Sequence, residues 1–210
     1  MARLDHVTTS GVFSIDGEDF EVENNIWILG DDHEAIVIDA AHDHRPILDG
    51  LGGRRLKAIV CTHGHNDHIN AAAALADDTG APILLHPNDT MLWEVVYPDR
   101  RIDDTLGDNT TINVGGTDIS VLHTPGHSPG GCCLYVPSDG VLFSGDTLFN
   151  GGPGATGRSF SSYDLILDSI EQRLFTLPET TVVHTGHGDS TSIGAEAPQL
   201  ASWRAAQTEN

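Results

Sequence analysis

The segment Thr62-His63-Gly64-His65-Asn66-Asp67-His68 places three histidines and one aspartate within six residues. The spacing is H-x-H-x-D-H, and it directly follows the apolar run 58–61, which predicts a buried strand. Imidazole nitrogens and carboxylate oxygens are the ligands that zinc and similar cations prefer. Isolated histidines are common on protein surfaces, but four such side chains crowded into one Gly- and Asn-containing loop indicate a metal site at a strand end.

Three further segments place histidines or aspartates directly after predicted strands. They are His123-Thr124-Pro125-Gly126-His127, Ser144-Gly145-Asp146 and His184-Thr185-Gly186-His187. Proline and glycine favour irregular backbone here, and loops at strand ends are common positions for functional side chains. Each segment alone is weak evidence, because a histidine beside a glycine is a frequent incidental pattern. Together with the first segment they form one set of metal-ligand types carried on loops.

The composition limits the classes of protein to consider. The 210 residues suit one domain spanning residues 1–210, and 39% of them are hydrophobic. The formal net charge of −21 repels phosphate backbones, so nucleic acid is not an expected partner. There is no apolar run of about 18 residues, and the N-terminus lacks the apolar core of a signal peptide. We therefore expect a cytoplasmic protein that does not enter the membrane.

The cysteines agree with a reducing compartment. Only Cys61, Cys132 and Cys133 are present, and no C-x-x-C motif occurs. Cys132 and Cys133 are neighbours inside an apolar run, so we expect one on each face of a strand. A redox role stays open, but buried thiols without chemistry are the favoured interpretation.

Short apolar runs rich in β-branched residues alternate with helical patterns along the chain. In the first half we predict helices at 68–78 and 89–96, and strands at 26–29, 35–38, 58–61 and 82–85. In the second half we predict helices at 163–174 and 195–206, and strands at 111–114, 119–122, 132–136, 141–144 and 181–184. Two similar halves, each a sheet covered by helices on one side, predict an α/β fold. The two sheets would face each other in a four-layer α/β/β/α sandwich.

The ligand segments together resemble those of metallo-β-lactamase-fold hydrolases, and the resemblance extends from about Ile26 to Leu200. It implies the four-layer fold and a site for two divalent metal ions. The first metal would be held by His63, His65 and His127. The second would be held by Asp67, His68 and His187. Asp146 would bridge the two. Zinc is the expected metal, while iron and manganese also suit a mixed set of imidazoles and carboxylates.

An aspartate at the bridging position is similar to the glyoxalase II, lactonase and phosphodiesterase branches of this family. The best-known antibiotic-degrading subclass has cysteine there instead. The stretch beginning at Gly157-Arg158 and the stretch 186–196, Gly-His-Gly-Asp-Ser-Thr-Ser-Ile-Gly-Ala-Glu, most resemble short bacterial glyoxalase II-like proteins. The resemblance therefore implies a hydrolase of the hydroxyacylglutathione hydrolase type, acting on a small molecule whose acyl group and thiol carrier stay open.

Two divalent ions about 3.5–4 Å apart share a bridging water and lower its pKa toward neutrality. The resulting hydroxide would attack the substrate carbonyl, with Asp67 both binding a metal and orienting the water. A thiolate, with a pKa of about 8.5, leaves without a proton, which favours a thioester over an amide. A lactonase or phosphodiesterase on the same site is the alternative. A protein with a single iron, or one that binds metal without catalysis, is the remaining hypothesis.

Four further side chains are candidate contributors to this site. Asp39 would orient a ligand imidazole by accepting its second N–H, with a turn aspartate as the equal alternative. His184 would either orient a ligand or serve only the structure. Arg158 would bind a substrate carboxylate through two hydrogen bonds, or be an ordinary surface arginine. Tyr163 would supply a proton to the leaving group. The remaining histidines outside the ligand loops are expected to be solvated or in turns, namely His6, His33, His42, His44 and His86.

Overall fold

The computed structural model describes residues 2–207, which form two six-stranded β-sheets packed face to face. The first sheet consists of β1 (Arg3–Ile15), β2 (Glu18–Gly30), β3 (Glu34–Ile38), β4 (Arg55–Val60), β5 (Ile83–Leu85) and β6 (Asp104–Thr105). These strands are neighbours in chain order. The pairs up to β3 are antiparallel, and the pairs from β3 to β6 are parallel.

The second sheet is built by the rest of the chain. Its first strands are β7 (Thr111–Val114), β8 (Thr117–His123), β9 (Cys132–Val136) and β10 (Val141–Gly145). A two-stranded ribbon follows, formed by β11 (Leu148–Phe149) and β12 (Gly152–Pro153), and then β13 (Val182–Thr185) and β14 (Thr191–Ser192). The order across the sheet is β14-β13-β10-β9-β8-β7, with β10 and β13 parallel and the other pairs antiparallel.

Helices cover the outer faces of the two sheets. Those of the first half are α1 (His44–Leu51), α2 (Asn66–Ile69), α3 (Ala72–Thr79) and α4 (Thr90–Val96). Those of the second half are α5 (Tyr163–Ser169), α6 (Ile193–Glu196) and α7 (Leu200–Gln207). Within residues 2–207, no helix is long and apolar enough to cross a membrane.

Three buried apolar clusters lie between these layers. Strand β2 contributes side chains to two of them. Ile26 and Ile28 join the cluster under the helices of the first half, whereas Trp27 and Leu29 join the cluster between the sheets. The period of two places alternate side chains on opposite faces. A third cluster, which includes Ile166 of α5, lies on the outer face of the second sheet. The predicted four-layer α/β/β/α sandwich is confirmed.

The adjacent cysteines follow the same alternation. Cys132 lies in the cluster between the sheets and Cys133 in the cluster under α5, so the prediction of one thiol on each face is confirmed. All three cysteines are free and buried. Burial raises the pKa of the Cys133 thiol to about 11, which keeps it protonated and unreactive at neutral pH.

The structure contains a long hairpin that the apolar pattern underestimates. Strand β1 was not predicted, and β2 begins at Glu18 rather than at Ile26. The hairpin turns at Asp16 and Gly17, which both have positive φ angles, 53° and 81°. Two such residues form the Asp-Gly turn that matches the twist of paired strands. Asp-Gly was the sequence signal for this hairpin, although the strand ends beside it are largely exposed.

Two predicted helices are interrupted. The helix expected at 68–78 is split into α2 and α3, because the N–H of Ala71 donates to the carbonyl of Ala40 in the loop after β3. The helix expected at 195–206 is divided by a 3₁₀ turn at Ala197–Gln199 that contains Pro198, a residue with no N–H for a helix interior. The first interruption matters for the site, since it places Asp67 and His68 in the short helix α2.

Candidate metal centre

The candidate ligands meet at one edge of the two sheets. They follow the carboxyl ends of β4, β8, β10 and β13, and β4 and β13 each run parallel to a neighbour in their sheet. Two backbone hydrogen bonds join the sheets at this edge. Asn25 N–H donates to Gly186 O, and Cys132 N–H donates to Thr62 O, both at 2.8 Å. Backbone hydrogen bonds therefore join the two sheets where the candidate ligands meet.

His63, His65 and His127 form what we call the first triad. Their donor nitrogens all lie within 4.8 Å of one another. His65 Nδ1 is 2.9 Å from His127 Nε2. The three rings meet edge to face in each pair, with centroids 4.7–4.9 Å apart. The first triad is thus a cup of three imidazoles, two of which come from one loop.

Asp67, His68 and His187 form the second triad. Their donor atoms also lie within 4.8 Å of one another. The Nε2 atoms of His68 and His187 are 3.1 Å apart, and His187 Nε2 is 3.2 Å from Asp67 Oδ2. The second triad differs from the first in that a carboxylate replaces one imidazole.

Asp146 lies between the two triads. Its Oδ2 is 3.5 Å from Nε2 of His127 and 3.5 Å from Nε2 of His187, and its Oδ1 is 3.3 Å from Nε2 of His68. Gly186 allows this position, because a Cβ at that residue would lie 2.3 Å from Asp146 Oδ1. One carboxylate therefore reaches donors of both triads.

Hydrogen bonds outside the site fix which nitrogen each imidazole turns inward. The Nδ1 atoms of His68, His127 and His187 contact Asp39 Oδ2, Ala155 O and Glu23 O, at 3.0, 2.7 and 2.7 Å. These oxygens only accept, so each ring donates from Nδ1. His63 Nδ1 faces Thr62 Oγ1 at 3.1 Å, and that hydroxyl donates to Asp39. Four imidazoles therefore turn Nε2 toward the centre, while His65 offers Nδ1.

This arrangement fits cations. Where a neutral imidazole donates its one N–H outward, its inward nitrogen carries a lone pair. These inward nitrogens face each other within each triad, and facing lone pairs repel unless a proton or cation lies between them. Three buried atoms of the candidate ligands also have no hydrogen-bond partner in the described residues, namely His63 Nε2, Asp67 Oδ1 and Asp146 Oδ1. Buried polar atoms are rarely left unpartnered without a reason such as an ion. Imidazole and carboxylate donors of this number suit two divalent ions such as zinc.

The triads differ in electrostatics. Burial lowers the pKa of His63 well below its ordinary value and lowers that of His65 to about 3. Burial also acts to lower the pKa of His68 and His187, but nearby carboxylates outweigh it. The pKa of His68 is raised well above its ordinary value, and that of His187 is raised to about 10. Without an ion, His68 and His187 therefore hold protons more strongly than His63 and His65 do.

Asp39 occupies the position expected of a side chain that orients a ligand. Its Oδ1 accepts from Thr62 N at 2.7 Å, and its Oδ2 accepts from Thr62 Oγ1 at 2.8 Å and faces His68 Nδ1 at 3.0 Å. Asp39 has a left-handed backbone with φ of 59°, which turns the chain sharply after β3. Because its oxygens accept these three hydrogens, Asp39 supports the imidazoles and is not needed as an ion ligand.

Sequence reasoning missed Asp89, which connects the two loops of the first triad. The side chain is fully buried. Its Oδ2 accepts from Gly64 N at 2.8 Å and from Ser128 Oγ at 2.7 Å, while Oδ1 accepts from Gly130 N. Gly64 lies between two ligand histidines and Ser128 follows a third. No local pattern marks Asp89, because its partners are 25 to 41 residues away.

Sequence reasoning also missed Asn24 and the contact that His42 makes with it. Asn24 is fully buried in β2 and turns its side chain toward the second triad. His42 lies in the bend after β3, as expected of a histidine in a turn, and its Nε2 lies 2.8 Å from Asn24 Oδ1. The signal available in the sequence was an asparagine pair, 24 and 25, at the start of an apolar strand, where polar residues need partners.

A cavity of about 170 Å³ opens beside His65. The tip of the β1–β2 hairpin, α4 and residues 159–160 surround it. Its apolar lining comes from Ile15, Leu92, Val95, Val96 and Phe160. Val95 and Phe160 are 80% and 62% exposed, which is unusual for apolar side chains that serve only the core. The cavity adjoins the first triad directly through His65.

Arg158 and Tyr163 each have a partner outside the two triads, and their roles toward a substrate stay predictions. Arg158 pairs with Glu18 at 2.5 Å, and its guanidinium lies 5.7 Å from the ring centre of Phe20, so its charge already has a partner. The hydroxyl of Tyr163 donates to Trp203 O at 3.1 Å, on the outer side of the second sheet. Tyr163 begins α5, and the helix directs the phenol toward α7 instead of the triads.

His184 is likewise not a partner of the ligands. Its ring packs on Trp27 with centroids 4.3 Å apart, and its Nδ1 is 2.9 Å from Ser190 Oγ. Strand alternation turns this side chain toward the layer between the sheets, while the chain bends at Gly186 to bring His187 into the second triad. His184 is close to His187 in sequence, but the two side chains point in different directions, because successive side chains of a strand alternate between its faces.

Comparisons with known proteins agree with this geometry. The model of the Metallo-beta-lactamase superfamily matches residues 20–187. The hydroxyacylglutathione hydrolase GloC of Haemophilus influenzae is 30% identical over 189 residues, which cover 83% of this chain and 89% of that protein. The BLEG-1 B3 metallo-β-lactamase superposes with a TM-score of 0.77 at 31% identity, covering 93% of this chain and 99% of that one. A di-iron-bound form of TTHA1623 superposes with a TM-score of 0.73 at 31% identity, covering 84% and 93%.

Proposed function

Because this chain belongs to the metallo-β-lactamase superfamily of metal-dependent hydrolases, we propose that it uses two divalent cations to hydrolyse a small-molecule thioester. The first triad would hold one cation and the second triad the other, with Asp146 shared between them. Zinc is the expected ion, because imidazole-rich sites with a carboxylate suit it. The di-iron form of TTHA1623 is a property of that protein, and it makes iron the first alternative to test.

The observation that carries this proposal is the inward set of unpartnered donors. Nε2 of His63 and Oδ1 of both Asp67 and Asp146 are buried without a hydrogen-bond partner in the described residues. They belong to two adjacent groups of donors that share one carboxylate, Asp146. A single cation would leave one group unused, so the arrangement supports a pair.

When bound, two adjacent divalent ions supply an activated water and polarise a substrate carbonyl. The residues supply position. The Nδ1–H groups of His127 and His187 are each tied to a backbone carbonyl, which holds the rings while Nε2 binds. We assign Asp67 two roles, binding the second cation and accepting a hydrogen bond from the attacking water. Its position in the first turn of α2 fixes that carboxylate.

The described residues around the cavity beside His65 favour a leaving group that needs no proton. The lining of the cavity beside His65 contains no lysine, arginine, tyrosine or cysteine among the described residues, and the Tyr163 hydroxyl is engaged elsewhere. A thiolate with a pKa of about 8.5 departs without protonation, whereas an amine does not. The 30% identity to a protein named as a hydroxyacylglutathione hydrolase supports the same class of substrate.

The charges around the cavity also limit which thiol carrier the substrate can have. Its one acidic lining residue, Asp16, already accepts hydrogen bonds from Ser159, and the nearby Arg158 is paired with Glu18. An anionic thiol such as glutathione would find no free cation here, and the net charge of −21 would repel it. We therefore expect a preference for an uncharged, apolar thioester.

The test is hydrolysis of matched thioesters by protein loaded with two equivalents of zinc. S-lactoylglutathione would be compared with the S-lactoyl thioester of N-acetylcysteamine, a small neutral thiol, and the ion-free protein would serve as control. We expect turnover of both, with the higher kcat/KM on the neutral thioester. Protein that binds two cations but hydrolyses no thioester would contradict the proposal.

A lactone is the second candidate substrate, because the apolar cavity beside His65 would also accept a lactone side chain. A phosphodiester is less suitable, since no lysine or arginine is among the described residues that line that cavity. A panel containing an acyl-homoserine lactone and bis-p-nitrophenyl phosphate would separate these reactions. Metal analysis in the same preparation addresses the hypothesis of a single iron, which predicts about one iron per chain and no second ion.

A further inference from the structure

Asn24 places an amide directly against the second triad. Its Nδ2 lies 3.2 Å from Asp67 Oδ2, 3.3 Å from His68 Nε2 and 3.4 Å from His187 Nε2. The side chain is fully buried, and it comes from β2, a strand that carries none of the predicted ligands. A buried amide that touches all three members of one triad contributes to how that triad is arranged.

The orientation of this amide is determined by two other side chains. Asn70 Oδ1 accepts the backbone N–H of His42 at 2.5 Å, so the amide nitrogen of Asn70 is the atom that faces His42 Nδ1, at 3.2 Å. His42 Nδ1 therefore accepts, and in a neutral ring the proton lies on Nε2. His42 Nε2–H then donates to Asn24 Oδ1 at 2.8 Å, which leaves Asn24 Nδ2 turned toward the triad.

The backbone is shaped to place His42. The residue has a left-handed conformation with φ of 60°, which costs free energy for a side chain other than glycine. Gly11 of β1 provides the space for the ring, because a Cβ at that position would lie 2.2 Å from His42 Nδ1. Burial also lowers the pKa of His42, which keeps its ring neutral at neutral pH.

We propose that Asn70, His42 and Asn24 form a hydrogen-bonded relay that positions Asp67 for the second cation. Asn24 donates to Asp67 Oδ2, the oxygen that lies 3.2 Å from His187 Nε2 and 3.5 Å from His68 Nε2, and thereby holds the carboxylate in its orientation toward both imidazoles. The relay rests on the proposed two-cation site. Its side chains form no hydrogen bond with the first triad among residues 2–207, so its effect is confined to the second cation.

The test measures the affinity of each cation by competition with a chelator, together with metal content per chain. His42→Phe removes the donor to Asn24, and we expect the second cation to bind about 10–100-fold more weakly while the first is unchanged. His42→Gln keeps an N–H toward Asn24 and should restore most of that affinity. His44→Phe is the matched control, because His44 pairs with Asp78 outside the site.

Gly11→Ala is a second, more remote variant. The three heavy atoms nearest to the added methyl all belong to the His42 ring, which must move, so this variant should also weaken the second cation selectively. Unchanged affinity for the second cation in both His42→Phe and Gly11→Ala would overturn the relay, as would equal weakening of both cations. These outcomes are distinct from failure of the proposed function, in which the unaltered protein itself binds no second cation or hydrolyses no thioester.

Discussion

The first and second triads lie side by side, yet different chemistry holds them. The first is three imidazoles, and the buried carboxylate of Asp89 ties their two loops together through backbone and hydroxyl donors. The second includes a carboxylate of its own, and Asp39 and Asn24 hold its side chains directly. Both triads have hydrogen bonds to their imidazoles, but a buried carboxylate ties together the loops of the first, whereas Asp39 and Asn24 contact side chains of the second directly.

This difference has an electrostatic consequence. Burial lowers the pKa values of His63 and His65 in the first triad, whereas the carboxylates of Asp146 and Asp67 raise those of His68 and His187 in the second. Without an ion, protons can balance the charge of Asp67 and Asp146. A cation entering the second triad must displace those protons, while a cation entering the first meets free lone pairs on His63 and His65. The two triads should therefore respond differently to pH and to mutation.

The largest expected effect is that of Asp146→Ala, which should weaken the binding of both cations. Asp146→Ala deletes the carboxylate within 3.5 Å of both His127 and His187, so both cations should bind more weakly. We expect kcat/KM to fall by more than about 100-fold, since even partners that only orient a ligand typically contribute 10–100-fold. Kinetics and metal content measure it, with Asp118→Ala on the exposed face of β8 as control. Full turnover by Asp146→Ala would rule out a shared carboxylate.

Asp89→Ala should weaken the first cation and not the second, which is the opposite of what the relay variants at His42 and Gly11 should do. It leaves the N–H groups of Gly64 and Gly130 without their acceptor and releases the loops that carry the first triad. We expect the first cation to bind about 10–100-fold more weakly and the second to change little. Chelator competition measures both affinities.

Asp103→Ala is the matched control for Asp89→Ala, because its carboxylate also accepts a backbone N–H, that of Ile83 at 2.9 Å, away from the ligands. If Asp89→Ala folds poorly, Asp89→Asn gives the same comparison with a smaller loss of stability, because it keeps one acceptor oxygen. Selective loss of the second cation in either Asp89 variant would contradict the division of roles.

A pH series gives the next largest effect. His187 has a pKa of about 10 in the ion-free protein and must be neutral to bind, so below that pH the cation displaces a proton. The apparent affinity of the second triad should rise about tenfold per pH unit for each proton displaced, between pH 6 and 9. His65, with a pKa of about 3, has no proton to lose in that range. Chelator competition that shows the same slope for both cations would contradict this difference.

The sequence predicted the parts of this site that local spacing encodes. The segment 63–68 carries its candidate ligands within one loop, and apolar runs located nine of the main strands closely enough to place the other candidate ligands at strand ends. The supporting residues were not predictable in this way. Asp89, His42 and Asn24 act through partners distant in the chain, and their residue types are ordinary for turns and strand ends. Their roles exist only once the two sheets are packed.

The smallest expected effect comes from a histidine that lies close to the second triad in sequence but not in contact with it. His184 packs on Trp27 and bonds Ser190, so His184→Phe keeps the aromatic contact and loses one partly exposed hydrogen bond. We expect both cation affinities and kcat/KM to stay within about twofold, and the free energy of unfolding to fall by about 1 kcal/mol or less. The same substitution at His42 should weaken the second cation. If His184→Phe weakened it equally, the selectivity assigned to contacts through Asn24 would be lost, because any histidine-to-phenylalanine change near this sheet edge would then have the same effect.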